Sequence, residues 1–167
     1  MEHMESSLPA YEVTPALGGD PQIVHDGEVT WNLGETGLAF ADNSIFEFKN
    51  SHRHYDATFE WMDLEKFMDI QYDIYHQNAV LANERKSQFM QRETILTKKE
   101  YWTLTVDRKH VQDLIDLIKS GKVFDALVIE MSKDGKVLDF QEGRHRAIAL
   151  KSMGKTKVPV WVVQKRF

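Results

Sequence analysis

Val137-Leu138-Asp139-Phe140-Gln141-Glu142-Gly143-Arg144-His145-Arg146-Ala147-Ile148-Ala149-Leu150 is the stretch that decides how this chain is read. An apolar run with strand character stops at a charged corner containing a glycine, and a helix-forming run follows. The first turn of that helix carries Arg144, His145 and Arg146. A helix N-terminus presents unpaired N–H groups and a partial positive charge, so it favours acidic residues. Two arginines there are unfavourable unless an anion compensates them. Two readings follow. In one, Glu142 and solvent neutralise the arginines, which are then ordinary surface residues. In the other, the corner binds a phosphate, with Gly143 permitting close approach and the arginines closing over it.

Working outward, Asp125 to Met131 reads as a strand, Lys133-Asp134-Gly135-Lys136 as a turn, and Lys136 to Phe140 as its antiparallel partner. Gly154 stops the motif helix. Val158 to Val163 is a closing strand, in which Pro159 indicates an edge position or a strand start. Upstream, Asp107 or Thr105 caps a helix with Val111, Leu114, Ile115 and Ile118 as its apolar stripe and Gly121 just past its end. Tyr101 to Val106 reads as a strand or an extended approach to that helix. Asp63 caps another helix, with Leu64, Phe67, Met68, Ile74 and Tyr75 on its packed face. Asn78 to Lys99 has mixed charge and no clear period, which predicts the end of that helix and then a mobile loop.

The first third is different. Met1 to Asp20 is polar, with Pro9, Pro15 and Gly18-Gly19, and Tyr11-Glu12-Val13 as a short strand. Asp26-Gly27 between Ile23-Val24-His25 and Val29-Thr30-Trp31 is a hairpin signal. Gly34 and Gly37 mark another turn, and Ile45 to Phe48 another strand. His52 and His54 alternate as they would on one face of a strand, a spacing that metal sites use, but no third ligand can be assigned; a solvated loop is the simpler reading. No metal site is assigned. Residues 1–55 are expected to form a β-rich extension and residues 56–167 the main domain.

Composition excludes several chemistries. The absence of cysteine rules out thiol catalysis, disulfides and cysteine-based zinc sites. No run of eighteen apolar residues predicts a transmembrane helix, and the Met-Glu-His-Met-Glu start lacks the features of a secretory signal, so a cytoplasmic protein is expected. The net charge of −5 is unevenly spread. Residues 133–167 hold nine Lys/Arg and three Asp/Glu, against twelve and twenty-three in the rest. The motif therefore lies in the basic part of an acidic chain. No P-loop or kinase glycine-rich loop is present.

A β-hairpin, then Glu142-Gly143-Arg144-His145-Arg146-Ala147 opening a helix, then Gly154 and Val158-Pro159-Val160-Trp161-Val162-Val163, resembles the ParB/sulfiredoxin superfamily. The likeness covers Tyr101 to Val163 and extends more weakly back to Leu64; residues before about Tyr55 have no counterpart in it. The resemblance implies an α/β (α+β) fold, a small mixed sheet with packed helices. It implies a nucleoside triphosphate, ATP or CTP with Mg²⁺, whose phosphate meets Gly143, Arg144, His145 and Arg146. Glu142 and His145 would then be the catalytic pair. Sulfiredoxin's own cysteine chemistry is impossible here, and no helix-turn-helix follows the motif, which argues against ParB-type partitioning. The expected function is an NTP-dependent phosphotransferase or NTPase, of the stand-alone kind that phages and mobile elements encode. The alternatives are a DNA-binding protein or nuclease using the basic C-terminal segment, and a non-catalytic interaction protein on the same fold.

Overall fold

The computed structural model describes residues 4–5, 9–13, 15, 21–34, 55–131, 137–140 and 143–165. They form an α+β structure of four α-helices and two four-stranded mixed sheets. The first sheet has the order β1-β2-β3-β5, from Met4–Glu5, Gln22–Asp26, Val29–Asn32 and Val123–Asp125. The Asp26-Gly27 signal does turn a hairpin between β2 and β3, with Gly27 at φ 60°, where a side chain would be strained. β5 then joins β3 in parallel, pairing Trp31 with Phe124. The hairpin is therefore completed by a strand from the far side of the chain.

The second sheet has the order β4-β8-β6-β7, from Tyr55–Asp63, Lys157–Lys165, Leu127–Met131 and Val137–Phe140. The β6–β7 hairpin and the closing strand β8 share this sheet, as the motif's surroundings suggested. β8 is central, however, and not an edge. Pro159 is tolerated because β6 pairs with β8 only from Val160 onward, so at Pro159 one neighbour has not yet joined. The side chains of β8 alternate. Val158 and Val160 enter the main core, and Trp161 and Val163 a smaller cluster with Ala126 and Val128.

Four helices cover the sheets: α1, Leu64–Glu84; α2, Lys98–Leu104; α3, Arg108–Lys119; and α4, Arg144–Ser152. Asp63 occupies the N-cap of α1 without capping it; the Leu64 N–H goes to the Thr156 carbonyl at 2.8 Å, and the Asp63 carboxylate pairs with Lys157. Gly121 and Gly154, past α3 and α4, have φ of 87° and 80°. Two readings need correction. Tyr101 to Leu104 is helix, because Thr97 and Glu100 form a reciprocal capping box that nucleates α2 against the aromatic strand propensity. Tyr11 lies in a 3₁₀ turn, Ala10–Glu12, and packs edge-on against Trp61 at 4.8 Å between centroids. The segment after α1 is an irregular connection, as read, anchored to that helix by side-chain hydrogen bonds. Asn83 makes two hydrogen bonds to the backbone of Glu93, and the hydroxyls of Tyr72 and Tyr75 bond the carbonyl and N–H of Leu96.

One apolar cluster spans both sheets. Val24, Trp31 and Leu33 of the hairpin region pack with Phe67, Ile118, Ile129, Ala147, Leu150 and Val158. Trp161 also donates its indole N–H to the Leu33 carbonyl at 2.8 Å. The division expected at residue 55 falls between β3 and β4, but the first sheet takes β5 from beyond it and the apolar cluster draws on both sides. The strand expected at Ile45–Phe48, the turn at Lys133–Lys136, and His52 and His54 lie outside the described residues.

Candidate functional site

The candidate corner is the start of α4. Gly143 is its N-cap, with φ −124° and ψ 3°, and the Gly143 carbonyl accepts the first helical bond from Ala147 at 2.7 Å. That φ is open to any residue, so conformation does not demand glycine. Packing does. A Cβ at 143 would lie 2.8 Å from Phe67 Cζ and 3.3 Å from Gln71 Nε2. The missing side chain lets α1 press directly against the start of α4. Gly143 itself supplies no side-chain cap, and the first turn holds no acidic residue. Glu142, the acidic member of the motif, lies outside the described residues.

The three motif side chains share one turn but diverge. Arg144 reaches toward α2, where its guanidinium neighbours the Tyr101 hydroxyl. Burial pushes that hydroxyl up from its ordinary pKa, and the neighbouring guanidinium partly offsets the rise. Tyr101 is itself wedged between Tyr75, 4.8 Å away, and Trp102, 5.1 Å away.

His145 turns toward α3. Its Nε2 accepts the Asp107 N–H at 2.9 Å, and its ring packs edge-on against His110 at 4.5 Å. That bond places the ring proton of the neutral form on Nδ1. The imidazole thus links the starts of α3 and α4, and its Nε2 lone pair is engaged.

Arg146 turns the other way, toward the first sheet. Its Nη1 donates to the Asp125 carbonyl at 3.1 Å, and its guanidinium lies 5.3 Å from the centroid of Phe124. Burial lowers its pKa, and the charge of Asp125 works against that shift. The resemblance implies a phosphate contact for Arg146; in the fold its guanidinium bridges α4 and β5.

One residue near the corner escaped the sequence reading. Gln71 is 0% exposed, and neither its Nε2 nor its Oε1 has a hydrogen-bond partner. An unpaired buried polar group costs about 1–3 kcal/mol. Its signal was present in the pattern: Leu64, Phe67 and Met68 lead by helical spacing to position 71, where an apolar residue would be expected.

The basic segment is also less free than its composition suggests. Lys151 pairs with Glu65 at 2.9 Å, Lys155 with Asp26 at 3.4 Å and Lys157 with Asp63 at 3.2 Å. Among the described residues, no three His, Asp or Glu side chains group as a metal site, and no helix is long and apolar enough to cross a membrane. No protein-family model, curated protein or solved structure matches the chain.

Proposed function

We propose that this chain is a ParB/sulfiredoxin-like nucleotide-binding protein that holds a phosphate at the start of α4. On this reading it is an NTP-dependent phosphotransferase or NTPase. The observation that carries the reading is the state of that helix start. Its N-cap glycine supplies no side-chain cap, its first residue is an arginine, and a buried amide with no partner among the described residues lies against that glycine. A phosphate would accept from the backbone N–H groups of the first turn and from Arg144. Glu142 is the residue we assign the acidic role, orienting an arginine or taking a proton from the attacking hydroxyl. His145 would act through its position, tying α3 to the corner.

The described residues offer no carboxylate set for Mg²⁺, so the ion would come with the nucleotide's own phosphates. The DNA reading is less well supported, since Lys151, Lys155 and Lys157 each face a carboxylate of the acidic half. A melting-temperature assay with ATP, CTP and GTP, each with Mg²⁺, tests the proposal. A rise with at least one nucleotide is expected. No rise at millimolar concentrations of all three would remove the nucleotide reading and leave the interaction protein. Release of phosphate from the nucleotide that binds separates an enzyme from a binder.

A further inference from the structure

Gln71 stands one turn beyond Phe67 on α1, within the stripe that packs into the core. A methionine there would have nearly the same length and no polar atoms to satisfy. The carboxamide is instead fully buried with both ends unpaired, which weakens the empty protein. It is aimed at the start of α4: Nε2 lies 3.3 Å from where a Cβ of Gly143 would be, and the N-cap glycine supplies no side-chain cap there. Turning the amide over does not change this, because either orientation leaves both the NH₂ group and the carbonyl oxygen without partners. An uncharged donor also suits a site that must exist empty, since a buried lysine would have to desolvate a full charge there.

We propose that Gln71 is a ligand-binding residue of the corner, its amide N–H donating to an oxygen of a phosphate seated at the start of α4. This rests on the phosphate reading above and adds a donor from α1, which the motif itself does not contain. It also accounts for glycine at 143, since any side chain there would stand between amide and ligand.

The test is Gln71→Met in the full chain, with inorganic phosphate as the probe. Melting temperature is measured without phosphate, and affinity by calorimetric titration. The variant is expected to melt at the wild-type temperature or about 2–4 °C above it, and to bind phosphate about ten- to a hundredfold more weakly. Wild-type affinity in the variant overturns the assignment. Where methionine disturbs the packing, Gln71→Glu decides. It keeps the shape and places a carboxylate at the helix start, so the phosphate response should be lost while the fold persists; an unchanged response overturns the assignment. A wild-type protein that responds to neither phosphate nor nucleotide overturns the reading beneath it, and this shows before any variant is made.

Discussion

The starts of α2 and α4 meet through the contact between Tyr101 and Arg144, yet they are closed in opposite ways. At α2, Thr97 accepts from the Glu100 N–H at 3.2 Å and Glu100 accepts from the Thr97 N–H at 2.9 Å. The acidic residue also suits the helix dipole. At α4 the N-cap is glycine, which supplies no side-chain cap, and the first turn carries two arginines and a histidine. α3, whose first turn is also cationic, resembles α2 only in being capped by its own residue, Asp107 accepting from the Lys109 N–H at 2.9 Å. The difference separates two uses of a helix end. α2 and α3 are completed by their own residues, whereas α4 is left with donors and charge that a bound anion would complete.

The harshest way to break this comparison is to fill the glycine. Gly143→Val should cost about 3 kcal/mol, because the new methyls would collide with Phe67 and force α1 from α4. Chemical denaturation measures this. A loss below about 1 kcal/mol would show that the close approach of α1 is not required. Arg146→Ala should follow at about 2 kcal/mol, from the lost Asp125 carbonyl bond and the contact with Phe124. Arg146→Lys should recover little of it, since an ammonium cannot reproduce the planar stacking. Full stability in Arg146→Ala would return this residue to the ligand.

Thr97→Ala and Arg144→Ala sharpen the contrast because they should cost about the same, near 1 kcal/mol each. Their ligand responses should differ. The Thr97 variant should keep any nucleotide-induced rise in melting temperature and the Arg144 variant should lose it. Equal responses would mean that the two helix starts are not functionally distinct.

The smallest effect is one of pH. Glu100 is held below the usual carboxylate range, first by the backbone N–H of Thr97 and then by its side chain. A depressed folded pKa means that its stabilisation is present above the ordinary value of 4.5 and is lost as pH falls through the depressed one. The stability difference between wild type and Glu100→Gln should therefore stay constant at neutral pH and narrow in acid. A difference that holds through the acid range would place the capping box elsewhere.

The legible parts of the fold were those with local signals. Asp107 and Gly121 bracket α3, Gly154 stops α4, and Asp26-Gly27 turns the hairpin, because each acts on backbone within a few residues of itself. α2 was misread although Thr97-Lys98-Lys99-Glu100 spells its start; Tyr101-Trp102-Thr103 has strand propensity, and the cap outweighed it. Gly143, Arg144, His145 and Arg146 were legible as a cluster at one helix start. Their directions were not, since the partners Tyr101, Asp107 and Asp125 come from three separate elements.

The sequence by itself determined that this chain has no thiol chemistry, an α+β pattern of elements, and a cationic first turn after a strand. These follow from residue type and short-range spacing. Only the tertiary structure decided that the acidic half supplies Glu65, Asp26 and Asp63 to the basic half. It alone completed the N-terminal hairpin with β5 and brought Gln71 against Gly143. Such pairings join residues far apart in the chain, and they form because burying one continuous apolar cluster brings their elements together.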